Sequence, residues 1–397
     1  MNKINLVREI KELKTHLSYS KNIGFFFGAG TSCALKISNI QDLTTSIRTA
    51  LKGEFSKSFD IIKSDIETTI TERKVNIEDF LNQIRRIREI TGDKKNKNYQ
   101  GVTGDDAKKL DKEICSRIYE IIFKEEAVAD LEITKKFFAW LSMLNRDFSK
   151  EIFTTNYDLI IEKSLEASGI PYFDGFVGSY EPFFWQESID QFVNKNDITH
   201  NWIRLWKIHG SLSWFWKQDK KNKAYRIVRI GRIENIKDEE NELVIYPSKE
   251  KYDASRKQPF VAYFDRLKNY LLTGELLFIF SGYSFCDQHI NEIIFNCSRQ
   301  NNRLSVLIFI FQDDEVENLH NLTSSYMNLC AFGPTKAIIN GNLGEWEFIK
   351  TDLKPDEKYD YYWDDIKNRF KLGDFNNLVN FFITYSGKKE VIESIIK

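Results

Sequence analysis

The chain contains four short apolar runs that each stop at glycine or at a small polar residue. The first is Ile23–Phe27, which precedes the letters GAGTS, and the others end near Thr155, Ile208 and Ser281. Short apolar runs bounded by turn-forming residues are typical of buried strands. Segments with helical spacing separate them, so the order is strand, polar loop, helix, repeated. This pattern predicts an α/β fold with a mostly parallel sheet and ligand chemistry at the carboxyl ends of its strands.

The rest of the chain extends this plan. Apolar residues at helical spacing predict an amphipathic helix over residues 3–17 and a helical insertion over about 38–148. We therefore expect a Rossmann-like domain over residues 1–350, with helices flanking the sheet, and a small carboxyl-terminal helical region over 351–397. The remaining strands are predicted at residues 306–311, 336–340 and 346–349.

Residues after 359 are rich in aromatic side chains. The rings concerned are Tyr359, Tyr361, Tyr362, Trp363, Phe370 and Phe375. Exposed aromatic clusters are typical of protein interfaces, but a second small core would give the same pattern. The sequence leaves these two interpretations open. We expect region 351–397 to serve assembly or partner contact.

Charge and cysteine content exclude several classes of protein. Lys and Arg number 57 and Asp and Glu number 58, so the formal net charge of −1 excludes a broadly basic nucleic-acid-binding surface. Five cysteines without a CxxC pair, and five scattered histidines, predict neither a disulfide framework nor a bound metal. Charges throughout the first 20 residues, and the lack of any apolar run of roughly 18 residues, predict a cytoplasmic protein without a membrane segment.

The turn after the first apolar run has two interpretations. Gly28, Ala29 and Gly30 would let backbone N–H groups approach a pyrophosphate, and Thr31 and Ser32 would add hydroxyl donors. The same letters are equally typical of a plain tight turn. The turn alone therefore does not decide between a ligand site and a structural bend.

The other three runs also end in residues that suit chemistry or structure. Asn156 and Asp158 would face one side of their loop, or would cap the helix that follows. His209 carries an imidazole, which suits proton transfer near neutral pH, although a lone histidine is more often structural. Ser284 and Asp287 suit ribose recognition or helix capping. Each pattern is ambiguous by itself.

The four strand ends together resemble the sirtuin superfamily of NAD-consuming enzymes. The resemblance is carried by FGAGTS, TTNYD, KIHGS and SGYSFCD followed by HIN, and extends from about residue 22 to residue 340. More narrowly, the chain is similar to bacterial sirtuin-like NADases of antiphage defence. Its length and its carboxyl-terminal region are similar to the form encoded beside a HerA-type ATPase. It lacks the four-cysteine zinc ribbon of the family's protein deacylases.

The resemblance implies a role for each motif. Asn156 would sit against the nicotinamide ribose, Asp158 would orient the nicotinamide amide, and His209 would be the general base near the ribose hydroxyls. The glycine turn would cradle the pyrophosphate, and the last motif would lie along the adenosine half. The residues implied to bind NAD are Gly28, Ala29, Gly30, Thr31, Ser32, Thr155, Gly210, Gly282, Ser284 and Asp287.

The resemblance also implies an activity. We expect an NAD hydrolase that releases nicotinamide and ADP-ribose and depletes cellular NAD in antiphage defence by abortive infection. NAD would be its substrate and no metal would be required. We expect a homo-oligomer, controlled by its assembly and by a HerA-type ATPase or another defence protein, with no membrane and no direct nucleic-acid partner.

Three alternative functions remain open at this point. The first is an NAD-dependent deacylase or ADP-ribosyltransferase, which product analysis with and without an acylated peptide would distinguish from a hydrolase. The second is a subunit that senses NAD or ADP-ribose without turnover. The third is a nucleic-acid role for the Lys- and Arg-rich residues 217–233, although such charge runs are mostly solvated surface.

Overall fold

The computed structural model describes residues 2–71, 73–190, 198–218, 225–231, 242–245, 258–355 and 357–396. The strands in these ranges are β1 (Asn2–Asn5), β2 (Ile23–Phe27), β3 (Asn98–Tyr99), β4 (Val102–Thr103), β5 (Glu151–Thr154), β6 (Tyr172–Phe173), β7 (Phe176–Val177), β8 (Phe183–Phe184), β9 (Ile203–Lys207), β10 (Gly210–Gln218), β11 (Tyr225–Arg229), β12 (Glu242–Ile245), β13 (Leu276–Ser281), β14 (Leu304–Phe309), β15 (Leu329–Phe332), β16 (Lys336–Ile339), β17 (Asn342–Glu347), β18 (Trp363–Asp364) and β19 (Arg369–Phe370). The helices are α1 (Leu6–Tyr19), α2 (Ala29–Cys33), α3 (Ile40–Ala50), α4 (Glu54–Thr69), α5 (Ile77–Thr91), α6 (Gly104–Val128), α7 (Glu132–Ser142), α8 (Ile160–Ala167), α9 (Glu187–Asp190), α10 (Phe260–Leu271), α11 (Gln288–Gln300), α12 (Asp313–Thr323), α13 (Phe375–Ser386) and α14 (Lys389–Ile396).

A large mixed sheet organises the fold. Over the described ranges its strand order is β1-β17-β16-β15-β14-β13-β2-β5-β9-β6, and the pairs are parallel except for the two that β16 makes. Side chains of β2 alternate between two cores, with Phe25 and Phe27 in one and Phe26 in the other. The sheet is therefore covered on both faces. This confirms the predicted α/β fold, a mostly parallel Rossmann-like sheet flanked by helices.

Strand β2 lies where the direction of the sheet reverses. From β2 the sheet continues to β5 and β9 on one side, and to β13 and β14 on the other. Ligands of open parallel sheets bind outside the carboxyl ends of the strands at such a reversal. Strands β13, β2, β5 and β9 are parallel neighbours, so the loops that carry the four sequence motifs leave the same edge of the sheet.

Helices α3 to α7 fill the chain between β2 and β5, where the sequence predicts a helical insertion. Buried ion pairs tie α5 to α6, since Asp111 lies 2.5 Å from Arg88 and 3.4 Å from Arg85. In the part of the chain that the structure describes, no helix has both the length and the apolar character that crossing a bilayer requires.

A second, antiparallel sheet follows β9, with the order β12-β10-β11-β8-β7 in the described residues. The charged residues 217–243 predict a solvated hairpin, and strands β10 and β11 form a hairpin that overlaps this stretch. Residues 219–224 and 232–241 of that stretch, which include part of the Lys- and Arg-rich run, lie outside the described residues.

Several predicted elements differ from the structure at their ends. The helix predicted over 3–17 begins at Leu6, because Asn5 caps it by accepting a hydrogen bond from the backbone of Arg8 at 3.0 Å. The preceding residues form β1, which pairs with β17. The tail, predicted as helical, contains the hairpin β18–β19 before it becomes helical at Phe375. The strand predicted at 346–349 is β17, and β15 was not predicted.

The aromatic side chains of the tail are part of the main core. Tyr362, Trp363, Phe370 and Phe375 are between 0% and 4% exposed. Tyr359 and Tyr361 are half-buried and pack against the same cluster. On α13, Phe382 stacks on Trp140 of α7 with ring centroids 4.5 Å apart. These rings form neither a separate core nor an exposed aromatic patch.

Replacing Phe382 by alanine is expected to lower the free energy of unfolding by about 3–5 kcal/mol, because a large cavity would form against Trp140. The matched control is Ile366→Ala, at a side chain that is 96% exposed, with an expected change within about 0.5 kcal/mol. Denaturant unfolding of the two variants measures the difference. Equal midpoints would show that α13 does not contribute to the core in this way.

Candidate functional site

A cavity of about 2200 Å³ opens where the loops after β2, β5, β9 and β13 converge. The predicted site residues that line it are Ala29, Gly30, Ser32, Thr155, Asn156, Asp158, His209, Gly282, Ser284 and Asp287. Gly28, Thr31 and Gly210 are predicted site residues that are not part of this lining. Gly210 packs against β12, since a Cβ there would lie 2.2 Å from the carbonyl oxygen of Val244. The fold thus brings all four motifs to one cavity.

The glycines after β2 hold two loops in direct contact. The backbone N–H of Gly28 donates to Ser281 at 3.0 Å, and that of Gly30 donates to Gly282 at 2.9 Å. A Cβ at Gly28 would lie 2.3 Å from the carbonyl oxygen of Gly282, so no side chain fits there. Both N–H groups already have partners inside the protein. The glycine turn therefore serves the packing of the β2 loop on the β13 loop.

The Asn156 side chain is fixed by this first loop. Its Nδ2 group donates to the carbonyl oxygen of Gly28 at 3.0 Å, to Thr31 Oγ1 at 3.1 Å and to Ser32 Oγ at 2.8 Å. The residue is 8% exposed and lines the cavity. Among the described residues no group donates a hydrogen bond to Oδ1. The amide is therefore oriented by its nitrogen, and its oxygen remains available to a ligand.

Asp158 supports the same arrangement. Its Oδ2 accepts from Ser32 Oγ at 2.7 Å, and its Oδ1 accepts from the backbone of Ile160 at 3.1 Å, at the start of α8. Lys207 donates to its carbonyl oxygen. Both carboxylate oxygens thus have partners within the protein. In this structure Asp158 binds the first backbone N–H of α8 and positions Ser32, and through Ser32 it positions Asn156.

His209 lies in the turn between β9 and β10, is 6% exposed and pairs with Asp287. Its Nε2 is 3.0 Å from Asp287 Oδ2, while Oδ1 accepts backbone hydrogen bonds from His289 and Ile290. Burial acts to raise the pKa of Asp287, but the hydrogen bond and charge of His209, with the backbone donors, hold it below its ordinary value. Asp287 is therefore ionised and orients the imidazole. This contact places Asp287 beside His209, a neighbour that the motifs alone did not indicate.

The helical insertion adds a carboxyl group that the sequence motifs did not identify. Glu78, at the second position of α5, is half-buried and lines the cavity. Burial raises its pKa to about 7, with the charge of His209 opposing and that of Asp287 adding to the shift. Its only signal in the sequence is an acidic residue in the first turn of an amphipathic helix, which is typical of helix starts.

The cavity wall thus combines an oriented amide, an imidazole paired with a carboxylate, and a second carboxyl group. Such a set can hold hydroxyl groups and exchange protons with a bound molecule. Within the described ranges, no three His, Cys, Asp or Glu side chains are grouped so as to hold a metal ion.

Comparison with known proteins gives one match to a family model. Residues 150–330 match the family model described as SIR2-like domain. A comparison with curated proteins finds no match. The matched segment contains Asn156, His209 and Asp287, whereas the glycine turn and Glu78 precede it. The match covers less than half of the chain, shows that this segment is similar to a SIR2-like domain, and agrees with the observed α/β fold.

Proposed function

We propose that the protein is an NAD hydrolase that cleaves the bond between nicotinamide and ribose to give nicotinamide and ADP-ribose. One observation carries this proposal: the oriented Asn156 amide and the His209–Asp287 pair face the same cavity at the reversal point of a parallel sheet. The SIR2-like match supports NAD as the substrate. The cavity volume of about 2200 Å³ leaves ample room for a dinucleotide.

Cleavage of the bond between nicotinamide and ribose explains why the site needs these side chains. As nicotinamide leaves, positive charge moves from its ring to the ribose, which gains oxocarbenium character. His209 takes a proton from a ribose hydroxyl and returns it once water has added, and the Asp287 carboxylate stabilises the imidazolium that exists in between. Asn156 directs its amide oxygen toward the ribose. We place the pyrophosphate along Ala29 to Ser32 and the adenosine half along Gly282 to Ser284.

Incubation of the purified full chain with NAD tests this proposal. We expect nicotinamide and ADP-ribose in equal amounts, at the same rate with and without an acylated peptide. Asn156→Ala is expected to remove this activity while leaving the melting temperature within a few degrees, because its partners keep other hydrogen bonds. Turnover that requires the peptide would indicate a deacylase. Binding of NAD without turnover by the wild-type chain would indicate a sensing subunit.

We also propose that the activity depletes NAD in antiphage defence and is controlled by assembly. The support is chemical, since uncontrolled NAD hydrolysis would harm the host cell. Homo-oligomerisation and a HerA-type ATPase are the controls that the family resemblance suggests. We assign region 351–397 to such contacts on the resemblance alone, because most of its aromatic side chains are buried in the main core. Light scattering during size exclusion and activity assays with the purified ATPase test this. A monodisperse monomer at micromolar concentration would contradict the assembly proposal.

A further inference from the structure

The face of α5 that borders the cavity is polar. Glu78 and Asn82 are one helical turn apart, so they lie on the same side of α5, and both line the cavity. The Oδ1 atom of Asn82 is buried and has no hydrogen-bond partner among the residues that the structure describes. Buried polar atoms in native proteins are almost always paired, so an unpaired one beside a cavity indicates a place for a ligand or water.

The carboxyl group of Glu78 has no structural task in capping α5. Asn76 caps the helix and accepts hydrogen bonds from the backbone of Glu78 and Asp79 at 3.0 and 3.3 Å. Asp79 completes the capping box and also pairs with Arg73 at 2.7 Å. Glu78 takes part only through its backbone N–H. Among the described residues no group donates a hydrogen bond to the carboxyl oxygens of Glu78. In contrast, the neighbouring Asp79 carboxylate accepts hydrogen bonds from Arg73 and from the backbone of Asn76.

The charged groups that act on Glu78 belong to the candidate site. The charges of His209 and Asp287, from the β9 and β13 loops, both influence its ionisation, together with Asp79 and Arg73 on its own side. Its charge in turn contributes to the raised pKa of Tyr157, in the loop after β5. A half-buried carboxyl among these groups is the arrangement found where proton transfer takes place.

We propose that Glu78 is the general base that takes a proton from the water attacking the ribose. This role rests on the proposed NAD hydrolysis. It assigns a catalytic group to the helical insertion, outside the segment that matches the SIR2-like domain. Glu78 and His209 would then have separate tasks, one toward the water and the other toward a ribose hydroxyl.

The attack of water releases a proton, which such a group can accept. The oxygen of water forms a bond to the anomeric carbon of the ribose, and the bond from that carbon to the nicotinamide nitrogen breaks. Its electron pair passes to the nicotinamide ring, which leaves uncharged. The water must lose one proton, which Glu78 accepts and later returns to solvent. The ionised carboxylate also faces the positive charge that develops on the ribose.

The geometry of His209 favours this division of tasks. Its Nε2 is held at 3.0 Å by Asp287, so one ring nitrogen is already engaged. Glu78 belongs to a different element and approaches the cavity from the helical insertion, whereas His209 belongs to a sheet loop. Two proton acceptors on different elements can serve two oxygen atoms of the reacting centre at once.

The test compares Glu78→Gln with Glu89→Gln in the full chain. Both glutamates belong to α5, but Glu89 is exposed and does not line the cavity, so the second variant is a matched control. Glu78→Gln is expected to lower kcat about 10²–10⁴-fold, with KM within twofold, whereas Glu89→Gln leaves both unchanged. Glu78→Asp, which keeps a carboxylate, is expected to retain intermediate activity. Melting temperatures verify that all three variants fold.

Azide provides a readout that a merely structural role would not change. Azide is already anionic and needs no base to attack the ribose. We therefore expect added azide to accelerate release of nicotinamide by Glu78→Gln, with ADP-ribosyl azide as product, and to leave the rates of the wild type and Glu89→Gln unchanged. Water attack remains slow in Glu78→Gln.

The outcomes separate this role from the proposed function. A wild-type chain that releases no nicotinamide from NAD would overturn the proposed function and, with it, this role. An active wild type with an equally active Glu78→Gln variant would overturn the role alone. So would a slow Glu78→Gln variant that azide does not accelerate.

Discussion

Replacing His209 by alanine is expected to lower nicotinamide release from NAD by about 10²–10⁴-fold, the usual contribution of a general base. The imidazole is the one group of its loop that Asp287 orients toward the cavity, at 3.0 Å. Methyl in its place can neither accept a proton nor hold a ribose hydroxyl. Initial rates of nicotinamide formation, measured at saturating NAD, give the loss in kcat.

Two further variants test why His209→Ala loses activity. Asp287→Asn keeps the imidazole but removes the charge that stabilises its protonated form, so we expect a smaller loss than for His209→Ala. His16→Ala, on α1 and away from the cavity lining, is the matched control and should have the wild-type rate. If His209→Ala releases nicotinamide as fast as His16→Ala, His209 has no role in catalysis.

Replacing Gly282 by alanine is expected to weaken both the fold and the site. The φ angle of Gly282 is +65°, and a Cβ there would lie 2.5 Å from the backbone nitrogen of Thr31. The left-handed conformation costs about 1–2 kcal/mol for alanine, and the overlap with backbone adds about 1–3 kcal/mol. Because the two loops must separate, the acceptors that hold the Asn156 side chain shift with them. We expect a lower melting temperature and, in the molecules that remain folded, a lower kcat.

The variant Gly274→Ala separates the cost of the left-handed backbone conformation from the cost of the overlap between the two loops. Gly274 has nearly the same φ angle, +60°, but apart from Gly274 and its chain neighbours no atom of the described residues lies within 4 Å of the position its Cβ would take. We therefore expect a loss of only about 1–2 kcal/mol and an unchanged kcat. The difference between the two variants, measured by thermal unfolding and by nicotinamide release, isolates the loop contact. Equal effects would mean that the contact between the β2 and β13 loops is unimportant.

The elements that could be predicted from the sequence share one property. Each of β2, β5, β9 and β13 is an apolar run bounded by glycine or polar residues, so local pattern alone marks it. Their parallel pairing follows from the helices between them. Strand β15, Leu329–Phe332, is as short as β5 and was not predicted, and its pairing with β14 and β16 defines it as a strand. Likewise β1 exists because β17 provides a distant partner, which no local pattern reports.

The candidate site also contains residues that the sequence predicts and residues that it does not. Asn156 and His209 follow strands, and the carboxyl ends of neighbouring parallel strands meet, so their joint position at one cavity was foreseeable. The contact between His209 and Asp287 links residues that are 78 positions apart, and no spacing in the sequence predicts it. Glu78 belongs to an insertion whose helices could have packed elsewhere. Its position over the cavity depends on tertiary packing alone.

The contact of Gly28 with Gly282 also has a consequence for the life of the chain on the ribosome. At synthesis rates of about 5–20 residues per second, Gly282 is synthesised roughly 10–50 s after Gly28. The delay between the synthesis of β1 and that of its partner β17 is longer still. A chain that stalls or is cut off before β13 lacks the partner of its first loop. Copies that end before β13 therefore lack the loop that completes this wall of the cavity.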